Sequence, residues 1–202
     1  MKDITTLDLF NQIENPIIYQ FSDPNYCSIP GLRYVPNFIT EEEETKLIKL
    51  INEYEWLTDL KRRVQHYGWK YDYKARFINH HMRLGPLPHW AKLLAMRLKQ
   101  NGLITEFPDQ IIVNEYKPGQ GIANHVDCEP CFGDTVISLS LASSCAMNFV
   151  NLQTKSQQEL ILEPRSVVCL HGEARYKWSH GIASRLADDI SGLSVVPSQR
   201  CA

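Results

Sequence analysis

The residues best placed to do chemistry in this 202-residue chain are His125 and Asp127, separated only by Val126, and the more distant His180. Side chains two apart on an extended chain point to one face, so His125 and Asp127 offer two ligands together. A third must come from elsewhere, and His180, in Trp178-Ser179-His180-Gly181-Ile182, closes a later strand-like run. Two histidines and one carboxylate form the facial triad of non-haem iron(II) oxygenases. Three ligands on one face leave three coordination positions open. An isolated His-x-Asp is common by chance, so the weight rests on what surrounds it. His171, before a Gly turn, reads as structural. His80 and His81, in a basic loop, read as phosphate contacts or as solvated side chains.

The elements that must position these ligands change character along the chain. Residues 1–30 lack periodicity, contain Pro16, Pro24 and Pro30, and read as an irregular arm. Leu32–Val35 suits a short strand. Thr40 and Glu43 have the spacing of a capping box, and Leu47, Ile48, Leu50 and Ile51 follow at helical spacing to about Tyr54. Residues 57–87 are aromatic and basic, broken by Gly68, Gly85 and Pro86, and read as short strands and loops. A second helix is expected from about Pro88 to Gly102, with Trp90, Leu93, Leu94 and Leu98 on one face. Beyond Pro108 come strand-like runs at 110–116, 135–141, 145–151, 159–162, 166–170 and 176–182. Short strands without intervening helices indicate an antiparallel sandwich or barrel. The expected class is mostly β with flanking helices. Residues 1–202 are expected to form one domain: arm, helices and substrate lid over 1–109, then the β core over 110–202.

The bulk numbers set limits. At 44% hydrophobic residues the chain can build a sizeable core. Its apolar runs are too short to span a bilayer, and Met1–Phe10 lacks the apolar segment of a secretory leader. A cytoplasmic monomer with no membrane association is expected. Six cysteines are read as free thiols. Cys128 and Cys131 form one CxxC pair without the second pair a structural zinc would need. Their spacing reads as incidental for metal, with a redox role left open by their closeness to Asp127. The net charge of −2 hides an asymmetry: Lys61–Lys99 holds ten bases and one acid, a local excess of +9.

The sequence around the triad resembles the AlkB family of nucleic-acid dioxygenases. The matching pieces are Asn114-x-Tyr116-x-Pro118-Gly119, His125-x-Asp127-x-Glu129, Val136–Leu141, Leu162-Glu163-Pro164-Arg165-Ser166 and His180-Gly181-Ile182, in the family's order. They span about residues 30–185 and are densest over 110–182. The resemblance implies a double-stranded β-helix (jelly-roll) core under an N-terminal lid, with Fe(II) as cofactor and 2-oxoglutarate and O₂ as co-substrates. It implies that Asn114 and Tyr116 contact 2-oxoglutarate and that Glu129 contacts the substrate base. The family's last strand, Arg-x-Asn/Ser-x-Thr-x-Arg, clamps the co-substrate carboxylates. Arg200 matches its first arginine, and Arg185 is a second basic residue near the distal histidine. The stretch Arg62-Arg63-Val64-Gln65-His66-Tyr67-Gly68 looks like the lid of tRNA-modifying AlkB homologues, so Arg62, Arg63, His66 and Tyr67 are expected to touch substrate.

Such an enzyme would oxidise a modified base in DNA or RNA. On an N-methyl group the product collapses to formaldehyde and free nitrogen; on carbon an alcohol persists. The base must leave its stack to reach the metal, so single strands or flipped bases are expected. Basic residues interleaved with aromatic ones over 61–74 suit phosphate neutralisation and base stacking; the plainer alternative is half-buried strand residues with solvated charges. Two other functions remain open: a nucleic-acid-binding protein that has lost catalysis, and a hydroxylase of proteins or small molecules on the same scaffold.

Overall fold

A computed structural model describes residues 28–186, together with the backbone of 188–190, 193–195 and 200–201. The irregular arm expected over 1–30 falls almost wholly outside the described residues. The order is β1 (Leu32–Val35), α1 (Glu41–Asn52), β2 (Arg63–Tyr67), α2 (His89–Gln100), β3 (Ile111–Tyr116), β4 (Ile122–His125), β5 (Thr135–Leu139) and β6 (Cys145–Asn151). It continues with β7 (Gln157–Leu162), β8 (Val167–His171), the short α3 (Gly172–Tyr176), β9 (Trp178–Ile182), β10 (Asp188–Ile190), β11 (Leu193–Val195) and β12 (Arg200–Cys201). A 3₁₀ turn covers His80–Met82.

The strands pair antiparallel in the orders β1-β8-β5, β12-β3-β2 and β4-β9-β6-β7, with β10-β11 as a separate ribbon. Two apolar cores lie on opposite sides of the β1-β8-β5 layer, and strand alternation explains both. On β8, Val168 and Leu170 face Met147, Phe149, Leu160, Leu162 and Trp178 of the four-stranded sheet. Val167 faces the other way, into a core with Leu47 and Ile51 of α1 and Trp90, Leu94 and Leu98 of α2. Sheet against sheet on one face and helices on the other is the mostly-β, helix-flanked class expected from the sequence. The run expected at 176–182 begins two residues later because Gly172–Tyr176 forms a helical turn that carries a buried arginine.

Helix α1 starts where the capping box sets it. Glu43 N–H donates to the Thr40 hydroxyl, and Thr40 N–H donates to the Glu43 carboxylate. Glu43 also accepts two hydrogen bonds from Arg97 of α2, at 2.7 and 3.0 Å. One carboxylate therefore both starts α1 and ties it to α2. Among the described residues no helix is long and apolar enough to cross a membrane.

Candidate metal centre

His125 and His180 come from adjacent antiparallel strands and lie directly opposite each other in the β4–β9 register. Their ring centroids are 4.7 Å apart. Gly181 makes this closeness possible: a Cβ there would sit 2.4 Å from Asn124 Oδ1 and 2.8 Å from both Asn124 N and Ile122 O. Only a residue without a side chain lets β4 approach β9 this closely. Asp127 follows two residues after β4 and brings its carboxylate between the rings, Oδ1 3.6 Å from His125 Nε2 and Oδ2 3.6 Å from His180 Nε2. One donor atom from each of the three falls within 4.8 Å of the others. At 3.6 Å these pairs are too long for hydrogen bonds.

Several features fit this cluster to a metal ion. Asp127 Oδ2 is buried with no hydrogen-bond partner, a costly arrangement unless something else satisfies it. Burial pushes the His180 pKa down to about 4, with Asp127 opposing, so the ring is neutral and its lone pair available. At His125 burial pulls the pKa down, but Asp127 and the Ala123 carbonyl outweigh it and the net shift is upward. That carbonyl lies 2.9 Å from Nδ1; a proton held there turns Nε2 toward the cluster. Burial raises the Asp127 pKa, yet His125, His180 and Arg175 together leave it lowered. Two imidazoles and one carboxylate suit a divalent transition metal.

The turn that carries Asp127 is clamped by a residue that sequence patterning does not reveal. Arg175, 2% exposed, donates to the carbonyls of Asp127 (3.1 Å), Gly133 (3.2 Å) and Phe132 (3.5 Å). Arg175 lies between the strand-like runs at 166–170 and 176–182, and nothing in the sequence marks it. On the opposite side, the hairpin closed by the Asp72–Phe77 bridge lies over the same turn: Arg76 donates to Val126 O at 3.0 Å and Tyr71 packs on Phe132 at 5.1 Å. Cys128 and Cys131 are joined in a disulfide, which corrects the expectation of six free thiols. Three residues apart on a tight turn, their sulfurs meet. Cys145 and Cys169 are free and buried.

The other expected site residues divide. Tyr116 is buried, its phenol pushed up to about 12 chiefly by that burial. Asn114 Oδ1 accepts from Arg62 Nε at 2.7 Å. The β12 backbone pairs with β3 so that Arg200 stands opposite Tyr116. Arg185 reaches away to Glu159, 3.2 Å off on β7. Glu129 is exposed on the turn beyond Asp127. Within the lid strand the four expected substrate residues separate by parity. Arg62 and His66 face one way, toward Asn114 and Tyr73 respectively. Arg63 and Tyr67 face the helices. Arg63 is paired with Glu115 and stacked on Trp56 at 4.3 Å. Tyr67 is edge-on to Trp90 in the core and donates to Gln65 Oε1.

Residues 31–201 match the family described as the 2OG-Fe(II) oxygenase superfamily. The chain belongs to that superfamily. Its curated relatives include AlkB homologues. It is 34% identical over 195 residues to the "Alkylated DNA repair protein ALKBH8 homolog" of Arabidopsis thaliana, covering 86% of this chain and 56% of that protein. It is 37% identical over 172 residues to the mouse "tRNA (carboxymethyluridine(34)-5-O)-methyltransferase ALKBH8", covering 80% of this chain and 25% of that protein. The chain thus spans about half of the first relative and a quarter of the second. Among solved structures, OsALKBH1 superposes with a TM-score of 0.66 at 15% identity, over 85% of this chain and 95% of that one. This shows a shared fold. The AlkB-like reading of the sequence and the jelly-roll class stand, and with the superfamily come Fe(II) and 2-oxoglutarate as its cofactor and co-substrate.

Proposed function

We propose that this AlkB-like chain is an iron(II)- and 2-oxoglutarate-dependent dioxygenase that oxidises a modified base in nucleic acid. The observation that carries the reading is the convergence of His125, Asp127 and His180, with a buried carboxylate oxygen that the protein leaves unsatisfied. These three residues hold the iron. When bound, iron supplies dioxygen activation coupled to oxidative decarboxylation of 2-oxoglutarate to succinate. The protein's own groups do the rest. Arg175 fixes the turn that presents Asp127. Asn114 and Tyr116, one strand period apart on β3, line the co-substrate side, where the β12 backbone also brings Arg200. The hairpin with Tyr71, Tyr73 and Arg76 closes over the metal turn and keeps water from it.

Nucleic acid as substrate is supported by charge. Of the ten bases over 61–99, Arg63 and Arg97 are neutralised by Glu115 and Glu43, while Lys61, Lys70, Lys74, Arg76, Arg83, Lys92 and Lys99 are exposed. Seven exposed cations on and around the lid suit a phosphate backbone. The names of the relatives point the same way, and in this reading Glu129, exposed beyond Asp127, contacts the base. One domain, a monomeric state and a cytoplasmic location belong to the same proposal.

The test is succinate release in the presence of a methylated oligoribonucleotide, the matching oligodeoxyribonucleotide, and a peptide. Stimulation by either oligonucleotide and not by peptide is the expected result. Stimulation by peptide alone would redirect the proposal to a protein hydroxylase. Oligonucleotide binding without succinate from any substrate would mean a binding protein that has lost catalysis.

A further inference from the structure

Strands β2 and β3 pair with Arg63 opposite Glu115 at one end and Tyr67 opposite Ile111 at the other. Asn114 and Tyr116 lie toward the first end. Beyond the second, a cleft of about 700 Å³ opens, a size suited to a small ligand. Gly68 builds it. Its φ is +78°, and a Cβ there would lie 1.8 Å from the Asp109 carbonyl oxygen, so the chain leaving β2 turns hard against the segment that enters β3. Trp69 follows and is held in place. Its indole N–H donates to Asp109 Oδ2 at 3.0 Å, and its carbonyl accepts from Gln110 Nε2 at 3.1 Å. Leu87 and Ala95 line the cleft from the core, and Met96 and Phe107 line it from the surface. Phe107 is 55% exposed and Met96 48%. Apolar surface left open to water at a concave site marks a place for a ligand.

Charge says what that ligand is. Arg83 and Lys92 line the cleft and are exposed. Lys92, Met96 and Lys99 are spaced four and three apart along α2 and share one helical face. Lys99 Nζ lies 4.5 Å from the centroid of the Phe107 ring. Asp109, the one acid lining the cleft, has a carboxylate oxygen engaged by the Trp69 N–H. Flat apolar rings interleaved with positive charge match a polymer that carries one flat base for each phosphate. The lid joins this cleft to the metal turn. Trp69 bridges Arg83 at its base, and Asp72 bridges Phe77 farther along, where Arg76 donates to Val126 O and Tyr71 packs on Phe132. Lys70, Lys74 and Arg76 are exposed along this ribbon. A strand with its target base at the metal therefore has a cationic track leading to the cleft.

We propose that the cleft binds an unpaired base flanking the oxidised one in the same strand, with Phe107 as its stacking surface and Arg83 and Lys92 holding the adjoining phosphate. This rests on the nucleic-acid reading above. It makes unpaired sequence beside the target part of what the protein selects: a target whose neighbour is held in a duplex fills the metal site alone and forfeits the cleft.

The experiment is fluorescence anisotropy of the full chain with a labelled, unstructured oligonucleotide that carries one N-methylated base. Flanking bases are removed one at a time to leave abasic sites. In wild type one flanking position should be sensitive, its abasic oligonucleotide binding about 5- to 100-fold more weakly, the range for losing one stacked base. Phe107→Ala should bind the intact oligonucleotide more weakly by a similar factor, and the same abasic site should then cost that variant less than about twofold, because the two changes remove one contact. Phe107→Tyr should behave as wild type. An unchanged urea midpoint shows that Phe107→Ala is folded; Phe107→Leu replaces it if it is not. A ring that only supports the surface would lower affinity for every oligonucleotide alike and leave the abasic penalty intact, which would overturn the proposal. Unchanged oligonucleotide affinity in Phe107→Ala would overturn it too, and loss of an acidic peptide in that variant would assign the cleft to a protein partner instead. A wild-type chain that binds no oligonucleotide would overturn the nucleic-acid reading itself, and this inference with it.

Discussion

His125, Asp127 and His180 were legible in the sequence because a two-residue spacing on a strand dictates a shared face, whatever the rest of the chain does. The lid residues were not, for a related reason. Period-two alternation separates Arg62, Val64 and His66 from Arg63, Gln65 and Tyr67, but a mixed aromatic and basic composition does not say which set faces inward. Gln65 resolves it: buried, it donates to Ile51 O and Tyr54 O, and that parity takes Arg63 and Tyr67 to the helices. Arg175 was illegible because its partners are main-chain carbonyls, which leave no trace in side-chain type. Two outcomes belong at this scale. Replacing Arg175 with Met should lower metal affinity by about 10- to 100-fold, as loss of a group supporting a metal ligand does, with the ligands themselves intact; equilibrium Mn(II) binding checks it. Replacing Tyr67 with Ala should destabilise the fold by about 3–5 kcal/mol, the range for truncating a buried aromatic. A substrate-binding Tyr67 would instead lower oligonucleotide affinity with no change in denaturation midpoint.

At the scale of elements, composition and capping marked both helices to within a few residues, and every β run from 110 onward corresponds to a strand. The sequence did not show that β4 pairs with β9. That pairing brings the two histidines together, and the space for it beside them comes from Gly181, which local propensity reads as a weak strand position. Gly181→Ala must push Asn124 and β4 away, so it should weaken metal binding more than tenfold while leaving the distant helical core standing; metal titration beside circular dichroism distinguishes the two. The partnership of Glu43 with Arg97 was equally hidden, since it joins helices 54 positions apart. Glu43→Ala removes a cap and strands a buried guanidinium (Arg97 is 5% exposed). The expected cost is about 3–5 kcal/mol, read from the urea denaturation midpoint. A cost under about 1 kcal/mol would mean that the pair behaves as a surface bridge.

For the whole molecule, the neutral average charge divides into a basic lid and an acidic remainder, and this division directs the proposed substrate. Removing Lys70, Arg83 and Lys92 together should weaken oligonucleotide binding for all sequences alike. The salt slope should fall by about one for each phosphate no longer neutralised. Stability should also follow pH through the lid. Burial lowers the His66 pKa, helped by Lys70 and Arg62 and opposed by Asp59. The folded state thus declines a proton that the unfolded chain accepts below its ordinary value of 6.5. Stability from this residue is present above that value and is lost as pH falls. The melting temperature should drop less steeply between about pH 7 and pH 5.5 in His66→Gln than in wild type; equal slopes would show that His66 does not contribute.

The central claim is that three side chains on β4, β9 and the turn after β4 hold an iron ion that 2-oxoglutarate then chelates. Anaerobic titration of the metal-free chain with Fe(II) in saturating 2-oxoglutarate tests it directly, through the visible metal-to-ligand charge-transfer absorption of the chelate. The band should grow to an endpoint at one equivalent of iron in wild type and should be absent in Asp127→Ala. No band in the folded wild-type protein, or an undiminished band in Asp127→Ala, would contradict the account.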